Sequence, residues 1–135
     1  MTARQYLQQA RGIKIRLDAM AEQLEFLKSA AEHVTTHYSD MPKPAGRNIR
    51  KGEDAIIRVL DFESRMKAQY DKLAEINDTV DMLHDPFQRA VLVKHYFSGK
   101  TWPEVALETY YSERTIRSIH TAALAEVEKL LESLP

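Results

Sequence analysis

Small or apolar side chains recur at Tyr6, Ala10, Ile13, Leu17, Met20, Leu24, Leu27, Ala31 and Val34. Steps that alternate between four and three residues keep every member on one stripe of an α-helix, the heptad spacing of a coiled-coil seam. Between them lie Arg11, Lys14, Arg16, Asp18, Glu22, Glu25 and Lys28, mostly good helix formers of mixed charge. A helix of about 30 residues reaches roughly 45 Å and cannot bury such a stripe alone. Residues 35–52, with Ser39, Asp40, Pro42, Pro44, Gly46 and Gly52, predict a loop. Its second half is basic through Arg47, Arg50 and Lys51, as either solvated charge or a contact for DNA phosphates or an acidic partner. From Glu53 a second seam runs through Val59, Phe62, Met66, Leu73, Ile76, Val80 and Leu83. Gln69 interrupts it, and Tyr70 beside it is a candidate to fill the gap. Two long amphipathic helices joined by a loop predict an antiparallel hairpin over residues 1–85. Its stripe is closed by the C-terminal helices or by a second copy, and a homo-oligomer, a dimer first, is the expected state.

Asp85-Pro86 marks a boundary, because the residue before proline is pushed out of helical geometry while proline suits a first turn. A third helix follows from Phe87 to near Ser98-Gly99, with Val91, Leu92 and Phe97 as supports for what comes next. Thr101 and Glu104 have the spacing of a capping box, and Pro103 sits in that first turn. The helix stops at Thr109-Tyr110-Tyr111, where Ser112 caps another. Two helices joined by a tight turn outline a helix-turn-helix. At about 100° per residue, Ile116, Ile119, Ala123, Val127 and Leu130 share one side of the last helix. Arg114, Arg117, Ser118 and Thr121 share the other, the side chains a helix needs in a major groove. Ala125, Glu128 and Glu132 continue that face, so phosphate contact should end near Thr121. Thr115, Lys100 and Ser112 complete the candidate DNA-binding set, Lys100 and the Ser112 helix start as phosphate anchors.

The sequence around these positions, residues 86–131, resembles region 4 of sigma-70 family factors. The likeness is carried by Thr-Trp-Pro-Glu-Val-Ala from Thr101, by Tyr-Ser-Glu-Arg-Thr-Ile-Arg-Ser-Ile-His from Tyr111, and by the Ala-Leu that follows. The whole chain is similar to a group of small phage and prophage proteins that attach such a module to an N-terminal helical segment, and to phage late-gene transcriptional regulators. The resemblance implies DNA binding in transcription, with host RNA polymerase as a further partner. The chain departs from the pattern at Tyr110, where the turn usually carries Gly or Asn. A left-handed backbone there costs a non-glycine residue about 1 kcal/mol or more, which would favour a turn of different shape.

Composition narrows the remaining classes. With 135 residues and 44% apolar side chains, the chain makes one domain, or a small domain with an extension. No stretch of about 20 apolar residues can span a bilayer and the first residues form no signal region, so a cytoplasmic protein without membrane contact is expected. Zero cysteines exclude disulfides and thiolate zinc sites. The net charge of −1 does not fit a protein that coats nucleic acid indiscriminately. Residues 86–121 carry five basic against three acidic residues, a weak bias that predicts modest, salt-sensitive binding.

His33 and His37 have a chelating spacing, but no third ligand follows, and no metal or other cofactor is expected. His84, His95 and His120 are isolated and read as packing or surface residues, and Trp102 as core or partial core. One of Tyr110 and Tyr111 is expected to close the turn onto the core and the other to face a phosphate. Neither a phosphate loop nor a nucleophile elbow occurs, so an enzyme is not expected. The fold expected is all-α, a hairpin over residues 1–85 followed by a helix-turn-helix domain over residues 86–135. The function expected is sequence-specific DNA binding. Its rivals are a structural, assembly or DNA-packaging adaptor protein, and a polymerase-binding antagonist, each using the hairpin as its contact surface.

Overall fold

The computed structural model describes the backbone of residues 1–40 and 47–134 and the side chains of residues 1–33 and 50–134. The described residues form an all-α protein: α1 (Ala3–Asp40), α2 (Arg47–Asp81), α3 (Pro86–Leu92), a π-helical turn (Val93–Phe97), α4 (Trp102–Thr109) and α5 (Glu113–Ser133). None of these helices is long and apolar enough to cross a membrane.

Helix α1 exceeds the span expected from its seam at both ends, whereas α2 begins before Glu53 but ends at Asp81, short of the last seam position, Leu83. Thr2 and Gln5 form a reciprocal cap, Gln5 N donating to Thr2 Oγ1 at 3.2 Å and Thr2 N to Gln5 Oε1 at 2.9 Å, so α1 starts before Tyr6. The segment expected as a loop over residues 35–52 is helical at both ends. The physical reason lies in its breakers: none precedes Pro42, and after Gly46 only Gly52 interrupts good helix formers, at a cost of about 1 kcal/mol. Arg50 and Lys51 therefore lie on α2, while the side chains of Arg47 and His37 fall outside the described residues.

The chain forms two compact units, and they do not divide it after residue 85. Met1–Ile15 joins Asp71–Pro135 in one unit, and Arg16–Tyr70 makes the other. The N-terminal turns of α1 belong with the C-terminal helices because their apolar side chains are buried there. Leu7 and Ala10 are fully buried, as are Val80, Leu92, Ile116, Ala123 and Val127. Burying a side chain of the Val or Leu class contributes about 1.5–3 kcal/mol, so this unit holds the larger core. Tyr6 adds a hydrogen bond of 2.9 Å between its hydroxyl and Thr79 Oγ1.

The Arg16–Tyr70 unit consists of the middle of α1 and most of α2. Arg16 Nη1 donates to Gln69 Oε1 at 3.3 Å, and Lys28 pairs with Glu63 at 3.3 Å. Partners that ascend in one helix while descending in the other make the pair antiparallel. Gln69 stays in the seam as a hydrogen-bond acceptor, and Tyr70 is exposed and fills no gap. Leu17, Phe62 and Met66 are buried, whereas Met20, Leu24 and Leu27 are only half covered. Two helices alone cannot enclose the stripe.

In the larger unit each short helix begins where a local cap was legible. Asp85 Oδ1 accepts from Phe87 N at 2.9 Å, the Thr101–Glu104 box closes in both directions at 3.4 Å, and Ser112 Oγ accepts from Thr115 N at 3.2 Å. The third helix was expected to stay regular to Ser98. It ends instead in a π turn, closed by Ser98 N to Val93 O at 2.9 Å. The wider turn carries His95 and Tyr96, and Tyr96 is buried. Gly99 then takes a left-handed backbone, φ 71°, which lets Lys100 N reach Lys94 O at 3.0 Å.

Candidate nucleic-acid interface

Helix α5 is two-faced, as its periodicity predicts. Ile116, Ala123 and Val127 are buried, Ile116 within a cluster of Val91, Val105 and Ala106 that Trp102 and Ile119 flank. On the opposite side Arg114, Arg117, Ser118 and Thr121 are all exposed and line one open concavity together with Glu113, Ala122 and Ala125. Four of the seven residues singled out from sequence thus share a surface. Thr121 Oγ1 donates to Arg117 O at 2.9 Å, so its hydrogen is committed to the helix backbone and the oxygen is left to act only as an acceptor.

The other three are engaged elsewhere. Ser112 caps α5, and its Oγ lies 3.0 Å from Thr115 Oγ1, so both hydroxyls are spent locally at the helix start. Lys100 forms an ion pair with Glu108, which Lys94 also approaches at 3.7 Å. The hydrogen bond from Lys100, followed by the two positive charges, holds the Glu108 carboxyl below the usual range. Arg89 donates through Nη1 to the carbonyls of Leu83 and His84 in the connection between α2 and α3. Three of the five cations behind the basic bias are therefore occupied internally. Arg114 and Arg117 have no carboxylate partner among the described residues, and they are the charge this surface offers to solvent.

The turn between α4 and α5 keeps the left-handed geometry of its sequence type despite the missing glycine. Tyr110 sits at φ 63°, ψ 19° with 95% of its surface exposed. Tyr111 lies edge-on to Phe87 at 5.8 Å between ring centroids, but it is 40% exposed and Phe87 is exposed too, so neither tyrosine closes the turn onto the core.

Sequence reasoning missed a ring cluster behind α5. His95 stacks on Trp102 at 3.8 Å and 15°, and Trp102 lies 4.5 Å from His120. His95 Nδ1–H donates to Lys100 O at 2.8 Å, which leaves Nε2 to accept from Arg11 Nη1 at 3.2 Å. His120 Nε2 and the Tyr96 hydroxyl share a hydrogen bond of 2.8 Å. Burial lowers the pKa of His95, with the Lys100 carbonyl opposing it and Arg11 adding to it. Burial, then the neighbouring His95 and Arg4, takes His120 down to about 4. Burial raises Tyr96. Both imidazoles are thus neutral at pH 7. A cavity of about 400 Å³ opens beside these rings, bounded by Arg4 and Gln8 of α1 and by Arg117 and Thr121 of α5.

The carboxylate expected to end the contact face also has a structural task, since Glu128 Oε2 accepts from Ala3 N at 3.4 Å and so holds the first turn of α1 near α5. Among the described residues no group of three or more His, Cys, Asp or Glu could hold a metal ion. No family model, no curated protein and no solved structure matches the chain, so its function must be argued from its own residues.

Proposed function

We propose that the chain is a sequence-specific DNA-binding transcriptional regulator, of the phage or prophage type that its resemblance to sigma-70 region 4 implies, with α5 as the helix that enters the major groove. The observation that carries this reading is the solvent-open face of Arg114, Arg117, Ser118 and Thr121, whose two guanidiniums lack a carboxylate partner among the described residues while the neighbouring cations are occupied. Arginine donates two bonds to guanine O6 and N7, and Ser and Thr contact bases or phosphates. Double-stranded DNA is the partner, and host RNA polymerase a further one on the resemblance alone.

The test is enrichment from a random duplex pool, followed by anisotropy binding at two salt concentrations for the wild type and for Arg114→Ala/Arg117→Ala. Each arginine that reads a guanine contributes about 1–3 kcal/mol, so the double variant should lose on the order of a hundredfold in affinity for the enriched sequence. Circular dichroism should be unchanged, because both side chains are exposed. A wild type that enriches no motif and binds no better than the variant ends the proposal.

A second reading, an assembly or packaging adaptor acting through the hairpin, is favoured by exposed apolar side chains in the Arg16–Tyr70 unit. Phe26 is 72% exposed, Ile57 60% and Leu60 59%. A homodimer that covers these residues fits either reading. Light scattering decides whether it forms: a monomer at all concentrations removes self-association from both, and a dimer dissociated by Ile57→Glu/Leu60→Glu places the interface here.

A further inference from the structure

We infer that the cavity beside α5 is a phosphate-binding site, built by Arg4 and Gln8 of α1 with Arg117 of α5. The cavity shares Arg117 and Thr121 with the α5 groove but is otherwise lined by other residues, and the inference does not rest on base reading. Arg4 and Arg117, far apart in the sequence, line one concave space of about 400 Å³, and among the described residues no carboxylate lines it. Neither has an ion-pair partner among the described residues, and Glu128, the acid that approaches this turn of α1, is engaged by Ala3 N. Like charges gathered without a counter-ion repel, and a bound anion relieves that repulsion.

The donor set selects the anion. Two separate guanidinium forks and the Gln8 amide present more N–H groups than the two oxygens of a carboxylate can accept, whereas phosphate offers three or more oxygens in a tetrahedral array. Thr121 does not add a donor, because its hydrogen goes to Arg117 O. One wall is the stacked pair of Trp102 and His95, which is flat and held by the Lys100 carbonyl. The phosphate has two possible sources with the same chemistry: the DNA backbone next to the reading face, or a small phosphorylated molecule. In the second case the ligand takes Arg117 away from the reading face, which couples its binding to DNA release.

The test uses the full chain at pH 7.5 and constant ionic strength, with chloride as the balancing ion. Inorganic phosphate and, separately, a short duplex without the enriched motif are titrated while calorimetry and the fluorescence of Trp102, the single tryptophan, are recorded. Charge-assisted hydrogen bonds of this kind are worth about tenfold or more in affinity each. Saturable binding should weaken by about that factor in Arg4→Ala and in Arg117→Ala and stay at wild-type strength in Lys129→Ala, an exposed cation that lines neither the cavity nor the α5 groove. Saturation by phosphate alone assigns a small ligand, and saturation by the duplex alone assigns a backbone phosphate. If Arg4→Ala loses helicity, Arg4→Gln takes its place. The site is refuted if neither titrant gives saturable binding, or if binding is as strong in the Arg4 variant as in the wild type. Loss of motif selection with retained phosphate binding would instead count against the groove alone.

Discussion

Exchanging Tyr110 for glycine should stabilise the larger unit, although it deletes an aromatic ring. Tyr110 occupies the left-handed region at φ 63°, ψ 19°, where an L side chain costs about 1–2 kcal/mol. With 95% of the residue exposed, the ring contributes almost no burial that its removal would forfeit. Glycine also frees the unfolded chain, which takes back about 0.4–1 kcal/mol. The net expectation for Tyr110→Gly is a gain of about 0.5–1 kcal/mol. Tyr110→Ala is the necessary companion, because it removes the ring and keeps the strained backbone, so it should leave stability nearly unchanged. Urea unfolding followed by Trp102 fluorescence measures both, since Trp102 belongs to the same compact unit. The glycine variant should move the midpoint upward at an unchanged slope, and a thermal scan should rise by about 2–4 °C. If glycine proves no more stable than alanine, the turn is not strained in solution, and the account of why this position favours glycine is wrong.

The remaining predictions concern ionisation. His120 is neutral when folded, with a pKa near 4 against an unfolded value of 6.5, so the unfolded chain takes up its proton first as the pH falls. Stability should be fully present above pH 6.5 and decline by about 3 kcal/mol on approaching pH 4, His95 adding to the loss in the same direction. His120→Gln, which keeps a hydrogen-bonding partner for Tyr96, should flatten this profile in urea titrations at several pH values, and an equally steep profile would refute the assignment. Glu108→Gln removes the acid that occupies Lys94 and Lys100. The variant should fold as before while binding non-specific duplex more tightly and with a steeper dependence on salt. Unchanged salt dependence would mean that those lysines do not face DNA.

What was legible in the sequence was local. The caps at Asp85, Thr101 and Ser112 act over two or three residues, and the opposed faces of α5 follow from one helical period, so both could be read directly. The seam of α1 was legible too, but its partners were not. Nothing near Leu7 or Ala10 tells that they are buried in the unit containing Val127, and so a hairpin boundary after residue 85 looked natural. Ion pairing hides in the same way. Glu108 is adjacent to Lys94 and Lys100 only after the π turn and Gly99 have folded the chain back, and a charge count therefore overstated the free cations. Arg4 and Gln8 meet Arg117 only in three dimensions. Gln69 shows the reverse error: an interruption of the apolar pattern was read as a gap, yet Arg16 satisfies it within the seam.

The π turn at Val93–Phe97 acts as a register adjuster. It takes up more residues than one regular turn would, and each residue of an α-helix rotates the chain by about 100°. Deleting a single residue there would let the helix run on regularly, at the expense of swinging His95 and Tyr96 to a different side and moving Thr101 away from the point where α4 must begin. Chain length between Leu92 and Thr101 is therefore constrained as tightly as side-chain identity in the core. Two homologous chains could exchange many residues in this stretch and keep the same ring cluster, whereas a one-residue insertion or deletion would require a compensating change before Trp102.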